Sequence, residues 1–79
     1  KNNASGSVVS SIPGKVVAID VAVGDTVQSG QTILILEAMK MQNEISSGID
    51  GTVAEVNVSE GDSVEANFLL DRIEPEPPG

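Results

Sequence analysis

Few side chains in this sequence of 79 residues could do covalent chemistry. It contains no His and no Cys, so the commonest acid–base catalyst and the most nucleophilic side chain are both absent. The basic residues are Lys1, Lys15, Lys40 and Arg72, against twelve Asp and Glu. Four basic side chains are too few to line a phosphate-binding surface, so we expect no nucleic-acid partner.

Lys40 lies in the segment Glu37-Ala38-Met39-Lys40-Met41-Gln42-Asn43-Glu44. A catalytic lysine is usually activated by burial or by a cationic neighbour, and neither is apparent here. The acidic side chains of Glu37 and Glu44 would instead favour the protonated amine. We therefore predict that the chain is not an enzyme in its own right. If Lys40 has a chemical role, another protein must modify it.

Two structures are open to the segment 37–44. Its residues are good helix formers, but a single short helix is marginal on its own. The alternative is a tight hairpin with Met39 and Lys40 at its tip. Two-residue hairpins favour residues that tolerate positive φ, usually Asn-Gly or Asp-Gly, so Met-Lys is a poor choice for stability. We favour the hairpin because an internal repeat on either side of the segment requires adjacent strands to be joined by a short connection. We treat Lys40 as the candidate site because functional residues often violate local preferences.

An internal repeat flanks this segment. The two halves of the sequence match when one is shifted by 37 positions, which aligns Ser10 with Ser47. The identical pairs are Ser10 and Ser47, Ile12 and Ile49, Gly14 and Gly51, Val16 and Val53, Val21 and Val58, Gly24 and Gly61, Asp25 and Asp62, and Val27 and Val64. Eight identities with shared glycines indicate a duplicated half of a domain.

Each copy has the pattern of short β-strands separated by turns. Apolar residues alternate along 17–21 and 54–58, which is typical of half-buried strands. This pattern predicts an all-β barrel or sandwich whose copies are related by a pseudo-two-fold axis. If a hairpin joins the strands near 33–37 and 45–49, the axis requires 70–74 to pair with 8–12. Both chain ends then lie at one pole, and Lys40 lies at the other.

Composition sets the expected boundaries and setting of the domain. We predict a flexible N-terminal segment at 1–7, a folded domain at 8–74 and a Pro-rich tail at 75–79. No apolar run approaches the roughly 20 residues that cross a bilayer, so membrane insertion is not expected. A net charge of −8 favours a soluble, monomeric domain, and a cytoplasmic location is the default expectation.

The sequence around Lys40 resembles the attachment motif of biotinyl domains, the biotin carboxyl carrier modules of biotin-dependent carboxylases, decarboxylases and transcarboxylases. The matching elements are Glu37-Ala38-Met39-Lys40-Met41, Pro13-Gly14, the Val-Gly-Asp-Thr-Val of 23–27, Gly30-Gln31, Gly51 and Gly61-Asp62. The resemblance covers residues 8–74. It implies a flattened β-barrel, or barrel-sandwich, of two four-stranded antiparallel sheets.

The resemblance also implies a function for Lys40. A biotin protein ligase would join biotin to it through an amide, with Met39 and Met41 as flanking residues. The biotin would carry a carboxyl group between a biotin carboxylase or decarboxylase and a carboxyltransferase. The early strands lack the thumb insertion of some bacterial acetyl-CoA carboxylase carriers. This favours a decarboxylase, a transcarboxylase, or an acyl-CoA or pyruvate carboxylase as the parent enzyme.

Two alternatives share this architecture. A lipoyl carrier of a 2-oxo-acid dehydrogenase complex usually has its lysine in an Asp-Lys-Ala context, whereas here Met flanks Lys40 on both sides. An unmodified barrel-sandwich adaptor, as in efflux assemblies, has a long helical insertion between its halves. Only about eight residues separate the halves of this chain.

Overall fold

The computed structural model describes residues 6–76, which form eight β-strands and no helix. In chain order the strands are β1 (Ser7–Val9), β2 (Gly14–Ile19), β3 (Thr26–Val27), β4 (Thr32–Ala38), β5 (Met41–Ser46), β6 (Gly51–Val56), β7 (Ser63–Val64) and β8 (Leu69–Pro75). The all-β prediction is confirmed. The helical alternative for 37–44 is wrong, because β4 and β5 occupy that segment. Within residues 6–76, no helix has the length and apolar character needed to cross a membrane.

The strands form two antiparallel sheets of four, in the orders β1-β8-β6-β3 and β5-β4-β2-β7. A shift of 37 residues converts the first order into the second, strand by strand. The predicted pairings are confirmed, since β4 pairs with β5 and β8 pairs with β1. Each sheet therefore contains two strands from each copy of the repeat, and neither copy forms a sheet by itself.

The repeated Gly-Asp pairs form equivalent turns in the two copies. The Oδ2 of Asp25 accepts a hydrogen bond from the backbone N–H of Ala22 at 2.9 Å. In the same way, Oδ2 of Asp62 accepts one from the N–H of Ser59 at 2.8 Å. The glycine before each aspartate has a positive φ, 98° in the first copy and 96° in the second. These turns require glycine because other residues are strained in that conformation.

The core lies between the sheets and consists almost entirely of Val, Ile and Leu. Bulges in β2 and β6 change which residues face it. Val16 and Val53 are buried, whereas Val17 and Ala54, which the alternation placed inside, are only partly buried. A bulge inserts one extra residue and so breaks the two-residue period.

The two ends of the described chain lie side by side at one pole, which we call the terminal pole. The N–H of Ile73 donates to the carbonyl of Gly6 at 2.7 Å, and that of Glu76 donates to Asp50 at 3.2 Å. The strands extend one residue beyond the predicted 8–74 at each end, to Ser7 and Pro75, because pairing continues there. The remainder of the predicted end segments, 1–5 and 77–79, lies outside the described residues.

Candidate functional site

The hairpin of β4 and β5 ends in a two-residue turn at the pole opposite the chain ends, which we call the hairpin pole. Pairing continues to Ala38 and Met41, and only Met39 and Lys40 form the turn. Their φ values are 54° and 67°, so both adopt the left-handed conformation of a type I′ turn. The predicted hairpin tip is confirmed. Neither residue is suited to this conformation, which costs roughly 1–2 kcal/mol per residue.

Close packing supports the base of the hairpin. A Cβ on Gly14 would lie 2.6 Å from the carbonyl oxygen of Glu37, so only glycine allows β2 to approach β4 this closely. Ala38 is buried beneath the turn. On β5, Nδ2 of Asn43 donates to the carbonyls of Leu36 and Met41, both at 3.3 Å. These contacts fix the direction in which the tip projects.

The side chains at the tip are exposed. Lys40 is exposed and makes no hydrogen bond or ion pair within residues 6–76. Met39 is 85% exposed and Met41 is 65% exposed, so neither packs into the base of the hairpin as an ordinary apolar residue would. Glu37 is also exposed, whereas Ala38 is not. The structure thus presents the Lys40 amine to solvent, between two largely exposed methionines.

Asp71 is a buried acid that the sequence analysis did not identify. It is 0% exposed, and neither carboxylate oxygen has a hydrogen-bond partner among the described residues. It lies opposite Val8 and Val56 on the neighbouring strands, so the three side chains point to the same face. Burial raises the pKa of Asp71 from 3.8 to about 6. The repeat could have identified this buried position, because Asp71 aligns with the apolar Leu34 of the other copy.

Asp71 does not belong to the Lys40 site. It lies on β8, in the sheet that does not contain the hairpin. Among residues 6–76, the site presents one primary amine, that of Lys40, on a projecting two-residue turn. Such a side chain can be modified by an enzyme and can present an attached group.

Comparison with known proteins identifies this arrangement. A family model described as "Biotin-requiring enzyme" matches residues 4–73. The chain is 46% identical over 65 residues to the human mitochondrial propionyl-CoA carboxylase alpha chain, covering 82% of this chain and 9% of that protein. It is 45% identical over 64 residues to the Nostoc biotin carboxyl carrier protein of acetyl-CoA carboxylase, covering 81% of this chain and 34% of that protein.

A solved structure shares the fold. The crystal structure of the Kluyveromyces lactis urea carboxylase superposes with a TM-score of 0.83 at 30% identity. The match covers 94% of this chain and 6% of that chain. The flattened barrel-sandwich implied by the resemblance is thus confirmed.

Fold and site together define a small carrier domain, a duplicated β-barrel with an exposed lysine at one pole. The chain belongs to the family of biotin-requiring enzymes and is a biotinyl domain. It spans 9% of the length of the human carboxylase chain and 34% of the Nostoc carrier. An amide-linked cofactor needs an accessible primary amine, and the exposed amine of Lys40 meets this requirement.

Proposed function

We propose that Lys40 carries the biotin of this domain. The main support for this proposal is that the Lys40 amine is exposed on a two-residue turn. The backbone of this turn is strained, and the flanking side chains of Met39 and Met41 are largely exposed. When bound, biotin accepts a carboxyl group at one active site and gives it up at another. The chain itself holds and presents the attachment point.

The proposed role is that of a carrier and not of a catalyst. Lys40 makes no hydrogen bond or ion pair within residues 6–76, which supports this role. A biotin protein ligase would form the amide bond, which removes the positive charge of Lys40. The flanking motif of Glu37, Ala38, Met39 and Met41 would be the part of the chain that this ligase reads beside the lysine.

The partners we propose are those of a biotin-dependent enzyme: a biotin carboxylase, and a carboxyltransferase or decarboxylase. The loop between β2 and β3 has the same length as its equivalent between β6 and β7, so the first copy contains no thumb insertion. This supports a parent enzyme other than the thumb-bearing type of acetyl-CoA carboxylase. We also propose that the domain is cytoplasmic and monomeric. Cell fractionation tests the location, and sedimentation analysis tests the monomeric state.

Intact mass after co-expression with a biotin protein ligase tests the attachment site. We expect one biotin adduct on the wild type, none on Lys40→Ala, and an unchanged adduct on the control Lys15→Ala. Lys15 is a suitable control because it is also an exposed lysine, on β2, and pairs with Glu37 across the strands. A lipoyl adduct, an adduct retained in Lys40→Ala, or an unmodified wild type would contradict the proposal.

A further inference from the structure

All the sulfur of this chain lies beside the lysine of the hairpin pole. The sequence contains two methionines, Met39 and Met41, and no Cys. One methionine immediately precedes Lys40 and the other immediately follows it. His, Trp and Tyr are also absent, so the two thioethers are the side chains that a mild oxidant attacks. Mild oxidation of this domain is therefore concentrated at the tip of the hairpin.

Both methionine side chains are open to solvent. Met39 is 85% exposed and Met41 is 65% exposed, whereas methionine in a protein interior usually fills gaps between apolar side chains. The buried apolar cluster of this domain consists of Val, Ile and Leu and includes neither methionine. A small oxidant can thus reach both side chains without unfolding the protein, and an added oxygen atom displaces no core contact.

The turn places the two methionines where an acylating enzyme must come. Strand pairing continues to Ala38 and Met41, so the polypeptide reverses direction within Met39 and Lys40 alone. An enzyme that acylates the Lys40 amine has to approach this short turn closely, and its surface then comes against the neighbouring methionine side chains. The chemical state of these side chains therefore bears on the reaction at Lys40.

We propose that Met39 and Met41 form a reversible oxidation site, which hydroperoxides modify and which controls the acylation of Lys40. The thioether sulfur attacks the outer oxygen of the hydroperoxide, so that an S–O bond forms and the O–O bond breaks. The sulfur loses two electrons and becomes a sulfoxide. The hydroperoxide is reduced to an alcohol, or to water if it is hydrogen peroxide, and this leaving group takes the proton of the transferred oxygen.

Oxidation replaces an apolar surface on each side of Lys40 with a polar one. A sulfoxide oxygen accepts hydrogen bonds, and covering it without a donor is unfavourable. The oxidised tip is therefore a poorer substrate for an enzyme that covers it. Because methionine sulfoxide reductases reverse the change, the site can regulate loading and does not only record damage. The effect on acylation rests on the proposed function, whereas the oxidation itself does not.

Peroxide treatment of the full chain before biotinylation tests this site. We expect intact mass to show two added oxygen atoms, one for each methionine, and peptide mapping to place them on Met39 and Met41. Urea unfolding should show an unchanged free energy. After the peroxide is removed, kcat/KM for biotinylation by a purified biotin protein ligase should fall about tenfold, as for covering an unpaired polar group.

Two controls make the result specific to methionine. Reduction by the two methionine sulfoxide reductases, one for each epimer, should restore the rate of the untreated wild type. The matched variant Met39→Leu/Met41→Leu contains no sulfur, so the same treatment should change neither its mass nor its rate relative to the untreated variant.

An oxidised wild type that accepts biotin at the untreated rate would overturn the inference, as would a lost rate that the reductases do not restore. Unfolding caused by oxidation would also overturn it, because the fall in rate would then not arise at the tip. If the untreated wild type accepts no biotin, the proposed function fails and the control of acylation fails with it. If it is biotinylated and oxidation leaves the rate unchanged, only the present inference fails.

Discussion

At the scale of single residues, Asp71 is the least favourable choice in the core. The other buried residues of the described chain are apolar, apart from Gly51 and two serines, Ser10 and Ser47, that donate hydrogen bonds to nearby carbonyls. A charged carboxylate without hydrogen bonds is costly to bury, so the folded domain holds its proton more tightly than the unfolded chain does. Its repeat equivalent, Leu34, shows that the fold accepts an apolar side chain in the corresponding position.

This proton linkage predicts a dependence of stability on pH. The pKa of Asp71 is about 6 in the folded state, against 3.8 as the ordinary value. Stability from this residue is therefore greatest below pH 3.8, falls as the pH rises to about 6, and stays low above it. The difference corresponds to about 3 kcal/mol. Urea unfolding of Asp71→Asn from pH 4 to 7 should lack this decline and show a higher free energy of unfolding at pH 7.

Asp20→Asn is the control for this measurement, because Asp20 is exposed and its side chain makes no hydrogen bond within residues 6–76. It should retain the wild-type decline between pH 4 and 6. If Asp71→Asn and the wild type lose stability in parallel over this range, the buried carboxyl is not the group responsible.

At the scale of elements, the hairpin turn holds Lys40 at the tip of the domain at a cost in stability, because both of its residues have positive φ values. Met39 has a φ of 54°, a conformation that Asn tolerates better than Met. We expect Met39→Asn to raise the free energy of unfolding by about 0.5–1 kcal/mol, measured by urea denaturation. A fall in stability would show that Met39 stabilises the fold despite its exposure.

The contact between Gly14 and β4 gives a second prediction for the hairpin. In Gly14→Ala the new methyl would overlap the carbonyl of Glu37, so β2 and β4 must separate. We expect a loss of about 1–3 kcal/mol in the free energy of unfolding. Gly48→Ala is the control, because no atom lies within 4 Å of its Cβ position, and it should change stability far less.

The strands and turns were predictable from the sequence where both copies of the repeat have the same pattern of residue types. The strand pairings followed from the repeat, and the turn at Met39 and Lys40 followed from where β4 and β5 must join. The bulges at Val17 and Ala54 were not predictable, because an extra residue leaves no mark in residue type. Asp71 was missed because it is a single departure from its equivalent residue, Leu34.

At the scale of the whole molecule, the two copies of the repeat cannot fold separately. The sheet β1-β8-β6-β3 takes its outer strands from the first copy and its inner strands from the second. We expect peptides 1–40 and 41–79 to be unstructured alone and to regain β circular dichroism when mixed. A cooperative β-structure in either peptide by itself would contradict this dependence.

The exchange of strands between copies also has an evolutionary consequence. A single ancestral copy would have left both of its sheets incomplete, so it had to associate with a second identical chain. That homodimer would have had two equal poles, each closed by chain ends. Joining two such copies in one chain would have replaced the ends at one pole with the turn at Met39 and Lys40. The difference between the two poles, on which a carrier depends, thus results from joining the two copies in one chain.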